Sequence, residues 1–220
     1  MKISSLFVAA MCLTLAKGAQ LTYTGSVSAS GILTTPISVL QFNPALGTLL
    51  SVDIHISSQS QANVSADSES VTPGTMLATM SGNTRMDFPN SGFRAQVNFT
   101  GELDSDYVIG ADSDGTADFT GSDYYDFGTI QGSGTASKSK STGLSPYIGT
   151  GTIAGSVRQA ATWTVSGSGA TQTATSNVLS TSDWTVTYNY TPTPVPEPSA
   201  ALLGVAGMVT LGLRRKRKSN

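Results

Sequence analysis

From Trp184 to Thr191 apolar and polar side chains alternate without a break. Trp184, Val186, Tyr188 and Tyr190 fall on one side, and Thr185, Thr187, Asn189 and Thr191 on the other. A repeat of two is the side-chain period of a β-strand; a helix would bring residues three and four apart onto one face instead. The same pattern sets Val52, Ile54 and Ile56 against Asp53, His55 and Ser57, and Ala161, Trp163 and Val165 against Thr162, Thr164 and Ser166. Phe93, Ala95, Val97 and Phe99 alternate with Arg94, Gln96 and Asn98, and Leu21, Tyr23 and Val27 open a first strand. Glycines at Gly25, Gly31, Gly47, Gly74, Gly82, Gly92, Gly101, Gly128 and Gly143 read as breaks between the runs. No stretch carries a helical period. One apolar and one polar face per strand is the signature of antiparallel sheets with one side on a core. The expected fold is all-β: an antiparallel two-sheet β-sandwich, jelly-roll-like.

Composition narrows the chemistry. The 220 residues hold one Cys and one His, which excludes a disulfide scaffold, a Cys/His zinc site and any Ser-His-Asp triad not built on His55. Charged residues are 12% of the chain, about half the usual share, while Ser and Thr together come to about sixty. A central domain of about 174 residues buries roughly 70% of its unfolded surface, enough for a core without cross-links.

Both ends read as processing segments. Met1-Lys2 and the apolar run Ile3 to Leu15 form a signal peptide over residues 1–18, too short to span a bilayer. Cleavage is expected after Gly18 or after Ala19, and it removes Cys12. At the other end a stiff Pro/Thr linker, residues 192–195, leads to Pro196-Glu197-Pro198. An apolar stretch from Ala200 to Leu213 follows, and then the basic cluster Arg214, Arg215, Lys216, Arg217 and Lys218. As a helix, residues 200–213 would be roughly 21 Å long against a hydrocarbon core of ~30 Å, so spanning needs snorkelling basic stems. The cluster favours a cytoplasmic end with the bulk of the chain outside.

Pro196-Glu197-Pro198, a short apolar transmembrane helix over 200–213 and the basic tail 214–218 together resemble the PEP-CTERM sorting signal of Gram-negative bacteria, spanning residues 196–218. The resemblance implies recognition by an exosortase, removal of the tail near the motif, and delivery through an inner-membrane intermediate to the cell surface or extracellular matrix.

The whole-chain net charge of -2 hides an acidic domain. Between Gln20 and Pro194, five basic residues stand against thirteen acidic ones, a net of -8. Such a domain disfavours nucleic acid and anionic lipid as partners.

Within that domain, Gln41-Phe42-Asn43-Pro44-Ala45-Leu46-Gly47-Thr48-Leu49 reads as a turn. Asn43-Pro44 reverses the chain, Gly47 allows a positive φ or a close backbone approach, and Phe42, Leu46 and Leu49 anchor it to the core. With the following strand and Asp126-Phe127-Gly128, this resembles the choice-of-anchor E domain of bacterial surface proteins, over residues 19–191. That family implies a β-sandwich and a surface location and supplies no catalytic residues.

The densest group of chemical side chains is Asp104, Asp106, Asp112, Asp114, Asp118, Asp123 and Asp126. Asp112, Asp114 and Asp118, with Gly115, resemble the start of a calcium loop. Thr116 and Asp123 stand where an EF-hand has its next oxygen ligand and its Glu, so a solvated loop of Asx-turns is the competing reading. His55 falls on the polar face beside Asp53. No Gly-x-Ser-x-Gly elbow in strand–helix context is present. Trp163, Trp184, Tyr188 and Tyr190 read as core rather than as a sugar-stacking platform. The expected protein is a non-enzymatic structural or adhesive component of a biofilm or exopolysaccharide matrix, cofactor-free unless calcium binds. Its partners are signal peptidase, exosortase and exopolysaccharide, and the alternative is a carbohydrate- or calcium-binding module.

Overall fold

The computed structural model describes residues 18–104, 108–112, 115–116, 118–167 and 171–194. Eight strands account for most of them: β1 (Ala19–Ala29), β2 (Leu33–Leu40), β3 (Gly47–Ser68), β4 (Met76–Phe88), β5 (Phe93–Asp104), β6 (Tyr124–Lys140), β7 (Thr152–Gly167) and β8 (Thr171–Pro192). They form two four-stranded antiparallel sheets, ordered β1-β8-β3-β6 and β2-β7-β4-β5. Each strand pairs with a mirror-image partner in chain order: first with last, second with seventh, third with sixth, fourth with fifth. The only helical elements among the described residues are single 3₁₀ turns at Pro44–Leu46, Pro89–Ser91 and Ser145–Tyr147.

The alternation sorts the faces as the sequence requires. Val52, Ile54 and Ile56 are fully buried, as are Val186 and Tyr188, and Phe93, Ala95, Val97 and Phe99 close the core from the other sheet. Rings meet edge to face around Tyr147 and Tyr188, 6.4 Å apart, with Phe88 and Phe93 against Tyr147 and Tyr23 and Phe42 against Tyr188. Tyr188 donates its hydroxyl to Leu40 O at 2.9 Å.

The core is not apolar throughout. One cluster surrounds Ile54, Phe88 and Tyr188, and a second holds Ala62, Val64, Met80, Phe99 and Ile130. Between them runs a belt of buried hydroxyls and one amide. Gln159 Nε2 donates to Ser182 Oγ (2.9 Å), Ser182 Oγ donates to Ser58 Oγ (3.0 Å), and Ser58 Oγ meets Thr84 Oγ1 at 2.7 Å. Ser60 and Ser180 pair at 2.6 Å beside it. Two of these bonds, Gln159–Ser182 and Ser58–Thr84, cross from one sheet to the other. Gln159 Oε1 is buried without a partner among the described residues.

Several glycines read as breaks lie inside strands instead. Gly25 sits in β1 directly opposite Trp184, and a Cβ there would collide with the indole. Gly82 in β4 likewise makes room for the Phe99 ring, and Gly101 in β5 for the approach of Gln131 O. These positions are small because a neighbour occupies the space, not because the chain turns. Gly128 does have a positive φ of 72°, in a bulge that leaves Phe127 without an opposite residue on β3. Asp126 Oδ1 accepts the Gly128 N–H there at 2.8 Å.

The turn before β3 forms a 3₁₀ turn with Asn43 Oδ1 accepting from Ala45 N at 2.9 Å. Gly47 packs against Thr191 O, where no Cβ fits. Phe42 and Leu49 are buried, but Leu46 is 42% exposed and anchors nothing: its backbone carbonyl, not its side chain, holds Thr193 N at 3.1 Å. β8 runs to Pro192, one residue into the expected linker.

Trp184→Ala should cost about 3–5 kcal/mol in urea denaturation of the full-length protein, the usual range for deleting a buried ring. Thr185→Ala, on the outer face between Thr24 and His55, should cost about 1 kcal/mol or less. Equal costs would sink the face assignment.

Burial raises the Tyr188 hydroxyl far above its ordinary pKa of 10.0, with Tyr23 and Tyr147 adding to the rise, and burial also raises Tyr147 against an opposing bond from Ser91. A phenol that keeps its proton when folded and loses it near pH 10 when unfolded favours the fold fully below that pH. That contribution is lost as pH climbs through the folded value. Urea midpoints should therefore fall above about pH 10, and Tyr188→Phe should flatten the fall. An unchanged alkaline slope in that variant would count against the linkage.

Candidate functional site

The aspartate-rich segment after β5 is folded back over one end of the sandwich. Gly74 and Ile109 exchange backbone hydrogen bonds, Asp112 N donates to Ser70 O, Gly110 N to Ser122 O, and Ser68 N to Asp123 O. Ala66, Met76 and Ile109 form a small apolar cluster beneath it. Asp67 is buried and accepts from Phe119 N, which holds Phe119 in a left-handed conformation (φ 58°) with its ring edge-on to Tyr124.

Two of the three carboxylates proposed for calcium, Asp112 and Asp118, accept hydrogen bonds from their own loop. Asp112 Oδ1 accepts from Gly115 N at 2.8 Å, and Asp118 Oδ1 accepts from Thr120 N (2.9 Å) and Thr120 Oγ1 (2.6 Å). These are Asx-type turns. Asp114 lies outside the described residues. No group of three His, Cys, Asp or Glu among the described residues is placed to hold a metal.

His55 faces outward on β3 as expected, and its Nδ1 lies 2.8 Å from Ser137 Oγ on β6. A nucleophile needs its base oriented by a third group. Among the described residues no carboxylate bonds to His55; Asp53 Oδ2 accepts instead from Asn189. Trp184 and Tyr188 are buried and Trp163 and Tyr190 are partly buried against the core, so these rings form no exposed sugar platform. Tyr125 packs edge-on against Phe127 at 4.8 Å.

Pro196, Glu197, Pro198 and Arg214, Arg215, Lys216, Arg217 and Lys218, expected to form a sorting signal, lie outside the described residues, as does the expected leader before Gly18. Among the described residues no helix is long and apolar enough to cross a membrane.

The outer face of the β2-β7-β4-β5 sheet carries a grouping that sequence reasoning missed. Arg158 on β7 stands directly opposite Arg85 on β4, and Arg85 opposite Gln96 on β5. One step along, Ser156, Asp87 and Arg94 form the next row. Asp87 Oδ2 accepts from Arg94 Nη2 at 2.9 Å and lies 3.6 Å from Arg85 Nε. Arg85 Nε is itself buried without a hydrogen-bond partner. Asp87, Pro89, Gly92 and Arg94 line a concavity of about 480 Å³ at this end of the sheet. Farther along the face come Asn83 and Asn98, then Ser81, Thr100 and Thr162, around a second shallow concavity. The only signal in the sequence was parity: each Arg follows a buried core residue by one position. Three segments up to 73 residues apart give no local motif.

No protein-family model matches the chain, and no curated protein does. Solved structures with some likeness include the Sputnik virophage determined by cryo-EM, 11% identical over 90% of this chain and 54% of that one, at a TM-score of 0.23. Another is the infectious bursal disease virus Gx strain, 12% identical over 86% of this chain and 48% of that one, at a TM-score of 0.17. The chain thus spans about half the length of these structures. Likeness at this level carries no argument about function.

Calcium in millimolar excess should leave the thermal midpoint of the full-length protein unchanged, because Asp112 and Asp118 already serve backbone donors. A rise in the midpoint that Asp112→Ala abolishes would identify a calcium loop instead.

Proposed function

We propose that this chain is an exported surface or extracellular-matrix protein of a Gram-negative bacterium, sorted by an exosortase and non-enzymatic in its β-sandwich. The observation that carries the reading is the ordered tail: Pro196-Glu197-Pro198, the apolar run 200–213 and the basic cluster 214–218. The tail would hold the protein briefly in the inner membrane until cleavage near the motif releases it.

The shape of the sandwich supports this reading. The nested strand order, with first pairing last and fourth pairing fifth, is that of a jelly roll. β1 starts at Ala19, immediately after the first-choice leader cleavage site, and β8 ends at Pro192, just before the tail. The two ends lie side by side, Ala19 opposite Tyr190. Thr193 is clamped by Leu46 O through its backbone N–H and by Ala45 O through its hydroxyl. Cutting at both proposed sites therefore leaves every strand and ladder bond of the described residues in place. The single cysteine, Cys12, falls in the proposed leader, so the exported domain would need no oxidation step.

Replacing Glu197 or deleting Arg214 to Lys218 should leave the protein unprocessed in the inner-membrane fraction. Wild-type protein shed to the surface should lack the tail by mass spectrometry. Surface protein that still carries Lys218 would overturn the sorting route.

A further inference from the structure

We propose that the arginine-bearing outer face of the β2-β7-β4-β5 sheet binds an acidic polysaccharide, one carrying carboxylate or sulfate groups. The proposal rests on the surface reading above and names the class of polymer that surface would hold.

The argument starts from charge. The domain between Gln20 and Pro194 has a net charge of -8, yet three of its five basic residues share one sheet face. Only Asp87 lies among them, which leaves about two uncompensated positive charges in a small area. Glu102 and Asp104 share the outer face, but they sit eight and ten positions beyond Arg94 on β5, roughly 26 Å or more away at strand rise.

The arrangement is unfavourable for the fold taken alone. Like charges directly opposite on neighbouring strands repel, and Arg85 and Arg158 are such a pair. Arg158 has no ion pair with any described residue, and Arg85 Nε is buried with its hydrogen unused. Local conflicts of this kind are expected where a surface is shaped for a ligand. An anion laid across the two guanidiniums would relieve the repulsion and supply bidentate acceptors.

The rest of the face selects a sugar over other polyanions. Gln96, Asn83, Asn98, Ser81, Thr100 and Thr162 continue the platform beyond the arginines, and amides and hydroxyls match sugar hydroxyls as both donors and acceptors. Single-stranded nucleic acid is held by aromatic stacking as well as charge, and no aromatic ring points outward on the rows from Arg94 to Thr100. A duplex or an anionic bilayer would bring a broad negative surface against a domain that is strongly negative elsewhere.

The test uses the purified full-length protein, immobilised, with four probes: polygalacturonate, dextran sulfate, unmodified dextran and a single-stranded DNA oligomer. Vesicles containing phosphatidylglycerol form a fifth arm. At least one of the two acidic polysaccharides should be retained and lost as salt rises, while dextran, DNA and vesicles should not bind. Arg85→Gln and Arg158→Gln should each weaken binding about ten-fold, the loss of one charge-assisted hydrogen bond. Arg158→Gln should melt at or above the wild-type temperature, because it removes a like-charge contact and no ion pair with a described residue. Lys138→Gln, which takes the same charge from β6, should bind as wild type. Retention of neither acidic polysaccharide overturns the proposal, as does equal weakening by Lys138→Gln or tighter binding of DNA or vesicles. If surface delivery is intact and polysaccharide binding fails, only this inference falls. A protein that never leaves the inner membrane fails the sorting reading instead.

Discussion

The structure hangs on the ladder between β3 and β8, two 22-residue strands that run antiparallel from Gly47 opposite Pro192 to Ser68 opposite Thr171. They are the two inner strands of their sheet, and they carry Val52, Ile54, Ile56, Trp184, Val186 and Tyr188 into the core. A slip of one residue would turn every one of those side chains to solvent. The flanking strands then take their register from this pair: β1 reads along β8 without interruption, with Gly25 accepting the Trp184 ring, and β6 reads along β3 up to the bulge at Phe127.

The polar belt follows from the same ladder. Ser58 and Ser60 on β3 face Ser182 and Ser180 on β8, where continued alternation would have placed larger apolar residues. Small hydroxyl side chains let the sheets approach and exchange hydrogen bonds directly through Thr84 and Gln159. Buried polar groups are costly unless satisfied, and within the belt every side-chain polar atom but Gln159 Oε1 has a partner. A slip of two residues would keep apolar side chains facing inward, but it would leave these hydroxyls unpaired in the dry interior. The belt therefore adds positional specificity to a core that has no disulfide to supply it.

Charge is distributed along the length of the sandwich rather than averaged over it. Aspartates gather in the segment that closes the β3 end, where Asp112 and Asp118 accept from backbone N–H groups of the loop and Asp67 from Phe119 N. The arginines gather toward the β4–β5 turn on the opposite sheet, with Lys140 reaching Ser91 O at the same turn. Asp67, Asp112 and Asp118 are accounted for by these local bonds. The basic face is not, since it carries a cross-strand repulsion that the fold does not require. The polysaccharide proposal therefore rests on the arginines.

The faces of the strands were legible from local pattern, because alternation is a property of neighbouring residues: Val52 to Ile56, Phe93 to Phe99 and Trp184 to Tyr188 are buried as their spacing demands. The turn at Asn43-Pro44 was legible for the same reason, since its cap closes over two residues. Which strand lies beside which was not legible, because pairing joins residues as far apart as Gln20 and Asn189, and no local preference encodes a partner at that distance. The glycines inside β1, β4 and β5 looked like breaks because the rings and carbonyls that require them belong to other strands. The belt of Ser58, Thr84, Gln159 and Ser182 and the face of Arg85, Arg94 and Arg158 come into being only when two sheets and three strands, respectively, are brought together. Tertiary structure alone decides them, because hydrogen bonds and charge pairs act between atoms a few ångströms apart, whatever their separation along the chain.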